Sequence, residues 1–340
     1  MTRHIIAGFV VALALCTAAP RASAQAVSEQ ELQRMGENLQ KALDARDWKR
    51  VVRIGERVME ARPGLAVVPY NLACAHAQLG ENDAALEWLQ KSADNGYAGI
   101  ASIETDPDLD PIREDPRFKV VHDQVQAARD KRFEVFRAAA EEADLLTILP
   151  PGYDPQVAAP LVIVLHGSGG RPEPVAEVHK KAAGEVGAII VAPSALRPLG
   201  DGFNWTFRDE AEWMVLHTLE RAAAEHTIDM DKVVVAGFSQ GANMALEVGL
   251  KHPEKFAGII ATSGHWQPAI MTIPEEGKRP RVQLLIGGDD EWAWTFKEAR
   301  GALSGAGVES RLEIVPGVGH AYPPNSDERL ERALRFVLGE

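Results

Sequence analysis

The chain has 340 residues, of which 46% are hydrophobic and 25% are charged, a composition typical of folded globular proteins. One hydrophobic core rarely organises so many residues, so we expect two domains. The formal net charge of -13 argues against nucleic acid and anionic membrane surfaces as partners, because both repel an acidic protein.

The first 24 residues have the features of an export signal. Arg3 precedes an uncharged stretch from Ile5 to Leu15, and Ala22-Ser23-Ala24 supplies the small residues of a cleavage site. A membrane anchor would need about twenty apolar residues, and Pro20 ends the stretch before that length. We therefore expect residues 1–24 to be a signal peptide and the remaining protein to be periplasmic or secreted, with no transmembrane anchor after cleavage.

Removal of the signal would leave Cys74 as the only cysteine. It would also remove two positive charges, Arg3 and Arg21, which lowers the formal net charge from -13 to -15. No internal disulfide can form with a single cysteine. Cys74 lies in an apolar pattern, so we expect it to pack as a small buried hydrophobic residue.

Residues 25–135 are predicted to form a small all-α domain. From Glu29 to about Arg132 the apolar residues recur at helical spacing, without strand signals. Between Leu72 and Ala93 the order of large and small residues resembles a tetratricopeptide repeat, with Gly80 at the turn. A weaker partial copy runs from Ala42 to Pro63. Two interpretations stay open: the segment binds a protein partner, or it packs on the second domain.

The acidic stretch Asp106–Pro111 follows the repeat and resembles the capping segment often found in this position. Calcium binding is an alternative, because calcium prefers oxygen ligands. The spacing lacks the glycine turn and the terminal glutamate of an EF-hand loop, so we expect no metal there.

From Leu146 onward, short Val/Ile/Leu runs alternate with helical patterns. Such runs indicate parallel strands covered on both faces, so residues 146–340 are predicted to form a doubly wound α/β domain. Its ligands should bind at the carboxyl ends of the strands. The predicted strands are Leu161–Leu165, Ala188–Val191, Val233–Ala236, Gly258–Ala261, Val282–Ile286 and Arg311–Val315. The predicted helices are Glu173–Val186, Asp209–Glu225, Gly241–Lys251, Thr295–Ser304 and Ser326–Leu338.

The pentapeptide Gly237-Phe238-Ser239-Gln240-Gly241 has the form of a nucleophile elbow. A predicted strand precedes it and a predicted helix follows, as the elbow requires. The two glycines leave room for a sharp, strained turn at Ser239, which is our candidate nucleophile. The backbone N–H of Gln240, at the start of the helix, can donate to a developing oxyanion.

A second oxyanion donor is expected in the loop after the first parallel strand. His166-Gly167-Ser168-Gly169-Gly170 occupies this position, and we favour the N–H of Ser168. His166 itself precedes the nucleophile and is interpreted as a residue that shapes the loop rather than as the base.

Chain order predicts the base and the acid. In α/β domains with a nucleophile elbow, the serine comes first, then the acid, then the histidine. His320 follows the last predicted strand and fits the base. His265 lies between the nucleophile and the acid, so we interpret it as a pocket residue. After the strand Val282–Ile286, both Asp289 and Asp290 are candidates for the acid.

Residues 146–340 resemble the phospholipase/carboxylesterase family of serine hydrolases. The resemblance lies in the motifs His166–Gly170, Gly237–Gly241 and Gly319-His320. That resemblance favours Asp290, because the acid usually stands three residues after a glycine, here Gly287. It implies an α/β-hydrolase fold and esterase activity without metal or organic cofactor, usually on acyl esters, with thioesters and lipids in some members. The residues after the acid depart from the acyl-protein thioesterase pattern. Bacterial relatives of feruloyl esterases and polyester depolymerases are further candidates.

We therefore predict a serine esterase that hydrolyses a small-molecule ester through an acyl-enzyme. Trp205, Trp266 and Trp292 are predicted to line an apolar substrate cleft, with simple packing as the alternative for each. Two other functions stay open. One is a serine peptidase with the same triad, and the other is a non-catalytic binding or scaffold protein that captures a partner with its helical repeats.

Overall fold

The computed structural model describes residues 27–268, 270–274 and 276–340. The chain divides into two compact units, Met1–Val135 and Phe136–Glu340. We refer to their described parts as the helical unit and the α/β unit. The predicted signal peptide, residues 1–24, lies outside the described residues, and its cleavage stays a prediction.

The helical unit is built from consecutive helices joined by short turns, and α1 to α4 pack against one another in chain order. Side-chain caps begin the first two: Ser28 accepts from the Glu31 N–H and Asp47 from the Arg50 N–H. The elements are α1 (Glu29–Asp44), α2 (Trp48–Ala61), α3 (Val67–Gln78), α4 (Asn82–Asp94), α5 (Ile100–Thr105), a 3-10 helix (Pro107–Ile112) and α6 (Pro116–Glu142), within which the division between units falls. The helical character of this region is confirmed, while its assignment to a tetratricopeptide repeat stays a prediction.

Helix α3 lies at the centre of the helical unit and packs against both α2 and α4. Its small residues make this close packing possible, because Ala73, Ala75 and Ala77 are almost completely buried. Cys74 is a free cysteine and is also buried, with 4% of its surface exposed. It packs as a small hydrophobic residue, as its sequence context predicts.

The α/β unit contains a seven-stranded sheet in the order β1-β3-β2-β6-β7-β8-β9, and a separate two-stranded sheet of β4 and β5. In the large sheet β1 pairs antiparallel with β3, and the other pairs are parallel. The strands are β1 (Leu146–Ile148), β2 (Ala159–Leu165), β3 (Ile189–Ala192), β4 (Arg197–Leu199), β5 (Gly202–Asn204), β6 (Ile228–Phe238), β7 (Gly258–Thr262), β8 (Arg281–Gly287) and β9 (Ser310–Val315). The helices of this unit after α6 are α7 (Pro172–Glu185), α8 (Arg208–Glu225), α9 (Gln240–Lys251), α10 (Ala293–Gly305) and α11 (Ser326–Leu338).

Helices cover both faces of the large sheet. On one face α7 and α11 pack together over a buried cluster that includes Val162, Val164 and Val234. On the other face α9 approaches so closely that a methyl group at Gly249 would lie 2.6 Å from Ile259 Cδ1. This mostly parallel sheet between helices confirms the predicted α/β-hydrolase fold class.

All six predicted parallel strands are present, with ends shifted by a few residues. The sequence patterns missed β1 at the edge of the large sheet and the hairpin of β4 and β5. Each of these strands has three residues, which is too short for an alternating pattern to show. Among the residues that the structure describes, no helix combines the length and the apolar character needed to cross a bilayer.

Candidate active site

Ser239 lies at the sharp turn between β6 and α9, with backbone angles φ 55° and ψ -119°. A non-glycine residue rarely adopts this conformation, so its surroundings must hold it there. The two glycines explain how: a methyl group at Gly237 would lie 2.3 Å from the carbonyl carbon of Gly241, and one at Gly241 would lie 2.2 Å from Leu165 O. The Ser239 N–H also donates to Thr262 O at 2.9 Å. The turn therefore exposes the hydroxyl above the carboxyl end of the sheet.

His320 connects Ser239 to a buried carboxylate. Its Nε2 lies 2.9 Å from Ser239 Oγ, and its Nδ1 lies 2.8 Å from Asp290 Oδ2. Asp290 has no exposed side-chain surface, and its other oxygen accepts from the Trp292 N–H at 3.0 Å. Asp289 is exposed, so the structure brings Asp290 rather than Asp289 to the histidine. A carboxylate that accepts from Nδ1 leaves Nε2 free to accept the serine proton.

The loop after β2 lies beside the nucleophile. A methyl group at Gly167 would lie 3.2 Å from Ser239 Cβ. Within the loop the Gly169 N–H donates to Phe203 O and the Gly170 N–H to Gly167 O, at 2.8 and 3.0 Å. The Ser168 N–H has no such acceptor among the described residues, so it can serve a ligand.

The N–H of Gln240, the other predicted oxyanion donor, belongs to the first residue of α9. At this position a helix supplies no acceptor for the N–H, and the positive end of the helix dipole favours a negative charge. The Gln240 N–H is thus adjacent to Ser239 in sequence, and the Ser168 N–H belongs to the loop whose Gly167 packs against Ser239.

His166 is almost completely buried, with 1% of its surface exposed, and forms part of the loop rather than of the reacting centre. Its Nε2 accepts from the Ala195 N–H at 3.0 Å, so its Nδ1 carries the proton and donates to Gly167 O at 2.7 Å. Burial lowers the pKa of His166, which keeps the ring neutral. This geometry agrees with its interpretation as a loop-shaping residue.

Trp205 is 5% exposed and offers almost no surface to a ligand. Its indole N–H donates to His166 O at 2.9 Å. The Gln240 side chain makes two hydrogen bonds to the Trp205 backbone. It accepts from the Trp205 N–H at 3.0 Å and donates to Trp205 O at 3.1 Å. Trp205 therefore joins the loop after β2 to the start of α9. These bonds connect residues 35 and 39 positions apart, which sequence patterns could not reveal.

The other two predicted pocket tryptophans differ from each other. Trp266 is 3% exposed, and its N–H donates to Thr295 Oγ1 at 3.2 Å. Trp292 is partly exposed and stacks on His265, with ring centroids 4.1 Å apart and planes inclined by 24°. Of the three, Trp292 is thus the one with surface available to a substrate.

The acidic stretch of the helical unit has a structural explanation. Asp106 Oδ1 accepts from the Asp108 N–H at 2.9 Å and begins the 3-10 helix, while Oδ2 accepts from the Tyr70 hydroxyl at 2.7 Å. Arg113 donates to three backbone carbonyls of the same region, including that of Asp106. In the described part of the chain, no group of three or more His, Cys, Asp or Glu is arranged to hold a metal ion.

Comparison with known proteins finds a family match within the α/β unit. Residues 209–336 match the phospholipase/carboxylesterase family model. The matched range contains Ser239, Asp290 and His320 and excludes the loop after β2.

Three proteins are similar to parts of this chain. A putative esterase, NocK, of Nocardia uniformis subsp. tsuyamanensis is 32% identical over 38% of this chain and 40% of its own length. Acyl-protein thioesterase 1 of Gibberella zeae is 29% identical over 36% of this chain and 55% of its own length. The crystal structure of esterase PE8 aligns with a TM-score of 0.48 at 24% identity, over 58% of this chain and all of that chain. The chain thus spans about half the length of these two curated relatives.

Proposed function

We propose that this protein is an exported serine hydrolase that cleaves carboxylic esters of small molecules through an acyl-enzyme. The observation that carries the proposal is the unbroken connection from Asp290 through His320 to Ser239, with hydrogen bonds of 2.8 and 2.9 Å. The family match and the esterase and thioesterase names of the relatives support the choice of an ester bond. The reaction as proposed needs no metal or organic cofactor.

In the proposed reaction, Ser239 Oγ attacks the ester carbonyl while His320 Nε2 takes the hydroxyl proton. Asp290 keeps His320 in the tautomer that accepts this proton and stabilises the imidazolium. The N–H groups of Ser168 and Gln240 stabilise the oxyanion. His320 then protonates the alcohol as the ester C–O bond breaks, so the alcohol leaves and the acyl group stays on Ser239. A water molecule, deprotonated by His320, attacks the acyl carbonyl. His320 returns the proton to Ser239 Oγ as the carboxylic acid leaves.

Purified protein should hydrolyse short p-nitrophenyl esters, and Ser239→Ala should lower kcat by about 10⁶-fold, as removal of a serine nucleophile does elsewhere. Asp289→Asn is a matched control on the same edge of the sheet, since this side chain is exposed. Peptide amides should be assayed in parallel. Rapid amide cleavage without ester turnover would instead indicate a peptidase, and equal rates for wild type and Ser239→Ala would indicate a non-catalytic binding protein.

Export is proposed from the features of residues 1–24. When the full chain is expressed in a bacterium, its exported form should begin at Gln25, which intact-mass measurement of the periplasmic fraction and the medium can check. A full-length chain recovered from the cytoplasm alone would contradict export.

We propose that the helical unit is tetratricopeptide-like and recruits a protein partner. The support is its series of short helices packed in chain order around the small residues of α3. Cross-linking in cells should give adducts with the full chain that disappear when residues 29–132 are removed. An identical set of adducts with and without this segment would contradict the proposal.

A further inference from the structure

His265 lies in the loop after β7, between the two strands that carry the nucleophile and the acid. In the sheet β7 pairs with β6 on one side and β8 on the other. Its carboxyl end therefore opens between the Ser239 turn and the Asp290 turn. The His265 N–H donates to Asn243 Oδ1 at 2.7 Å, and its ring stacks on Trp292. These contacts fix both the backbone and the ring of His265 at the site.

A chain of hydrogen bonds determines which nitrogen of His265 carries the proton. Arg208 pairs with Glu247, and its Nη2 lies 2.9 Å from Gln267 Oε1. Because a guanidinium can only donate, this atom of Gln267 is the amide oxygen. The Gln267 Nε2 therefore donates to His265 Nδ1, which lies 3.1 Å away. An Nδ1 that accepts leaves the proton on Nε2, so His265 presents an Nε2–H donor.

That donor is available to a ligand. His265 is partly exposed, and no acceptor for Nε2 is found among the described residues. Partial burial lowers the pKa of His265, although Glu291 opposes this change, so the ring keeps its neutral form at neutral pH. Neither His320 nor Asp290 uses this nitrogen, because the hydrogen bonds of their side chains are to Ser239, Trp292 and each other.

We infer that His265 is a specificity-determining residue whose Nε2–H donates to a second oxygen of the substrate. The site then prefers esters that carry an ether, hydroxyl or carbonyl oxygen near the scissile carbonyl over esters with a plain hydrocarbon chain. A hydrocarbon in the same place leaves the partly buried donor without an acceptor, which disfavours it. The inference rests on the proposed ester hydrolysis.

The test compares p-nitrophenyl methoxyacetate with p-nitrophenyl butyrate, whose acyl chains have the same length and differ by one ether oxygen. The measured quantity is the ratio of their kcat/KM values, normalised to wild type so that their different intrinsic reactivities cancel. His265→Phe keeps a ring for stacking on Trp292 and removes the donor. We expect it to lower the ratio about tenfold, the effect of one lost hydrogen bond. His265→Gln places an amide N–H near the position of Nε2 and should restore most of the ratio.

A ratio that stays within about twofold of wild type in His265→Phe would overturn the inference. The protonated nitrogen can also be identified in the unaltered protein by ¹⁵N NMR of labelled histidine, where an Nδ1–H tautomer of His265 would overturn it independently of any variant's folding. Failure of the proposed function looks different, because Ser239→Ala would then hydrolyse both esters as fast as wild type.

Discussion

In the helical unit, the carboxylate of Asp106 accepts from the Asp108 N–H and the Tyr70 hydroxyl, whereas in the α/β unit that of Asp290 accepts from the Trp292 N–H and His320 Nδ1. Each carboxylate therefore has one backbone donor and a nearby side-chain donor, and the Cys74 thiol is a second, more distant donor to Asp106 Oδ2, at 3.8 Å. At Asp106 the nearer side-chain donor is the buried Tyr70, whose hydroxyl also lies 3.3 Å from the backbone carbonyl of Ser102. At Asp290 it is an imidazole whose second nitrogen reaches Ser239.

Acidic residues alone therefore do not indicate a reactive site. Asp106 caps a short helix, and both of its oxygens serve the local fold. Asp290 follows a parallel strand, where the carboxyl ends of neighbouring strands bring other reactive side chains close. The position in the fold thus separates a structural carboxylate from one that can orient a base.

Of the changes that test the contrast between the two carboxylates, Asp290→Asn should have the largest effect. An amide in this place favours the wrong tautomer of His320, so kcat for ester hydrolysis should fall about 10⁴-fold. Asp289→Asn, one residue away and exposed, should change kcat by less than about twofold. Comparable losses in the two variants would remove the distinction between them, and steady-state kinetics with a p-nitrophenyl ester measures both.

Acid should weaken the α/β unit through His179, a completely buried residue of α7. Burial lowers its pKa from 6.5 to about 4, so it stays neutral when folded and takes up a proton when unfolded. Its contribution to the free energy of unfolding is fully present above pH 6.5. It is lost as pH falls towards 4, by about 1.4 kcal/mol per pH unit and about 3 kcal/mol in total.

Hydrogen exchange measured by mass spectrometry at several pH values gives the stability of the helical unit and of the α/β unit separately. His179→Gln has no proton to gain, so its α/β unit should lose less stability than wild type between pH 6.5 and 4. In the helical unit, the hydrogen bonds that His122 donates to Glu104 and Asp123 raise its pKa, which opposes acid destabilisation there. The same pH slope in wild type and His179→Gln would contradict this prediction.

A smaller effect is expected from the hydrogen bonds between Gln240 and Trp205. Gln240→Ala removes both bonds to the Trp205 backbone and loosens the oxyanion donors, so kcat should fall about 10- to 100-fold with KM nearly unchanged. Trp205→Phe, which removes the indole bond to His166 O, should act in the same direction. A change in KM alone would show that this contact binds substrate rather than positions the oxyanion donors.

The smallest effect should come from Tyr70→Phe in the helical unit. Losing the hydroxyl leaves Asp106 Oδ2 with only the weaker Cys74 thiol donor, 3.8 Å away, which should lower the free energy of unfolding of this unit by about 1–2 kcal/mol. Urea unfolding followed by hydrogen exchange would measure this loss. Ester hydrolysis should be unchanged, and a parallel loss of kcat would break the separation between the structural and the reactive carboxylate.

Much of the fold was predictable because its signals are local. Continuous apolar runs gave the six parallel strands, and the pentapeptide with its flanking elements gave the position of Ser239. His320 and the pair of aspartates followed from chain order, and the structure brings Asp290 to His320. Export, the repeat assignment and the catalytic roles stay predictions.

The remaining features depend on contacts distant in sequence. The burial of Trp205 and Trp266 was not evident, because the presence of an aromatic residue in a loop does not show which way its ring faces. The bond between Arg208 and Gln267 joins residues 59 positions apart. The proton position on His265 follows from that bond, so no local pattern could have indicated it.

The place of β7 between β6 and β8 also bears on how such a site can diversify. The turns after β6 and β8 carry Ser239 and Asp290, where few changes are compatible with the proposed reaction. The loop after β7 adjoins both turns and supplies none of the groups that make or break bonds. Amino-acid replacements there can alter which molecules are accepted while the reaction itself is preserved. A directed-evolution library aimed at new substrates would therefore begin with residues 264–268.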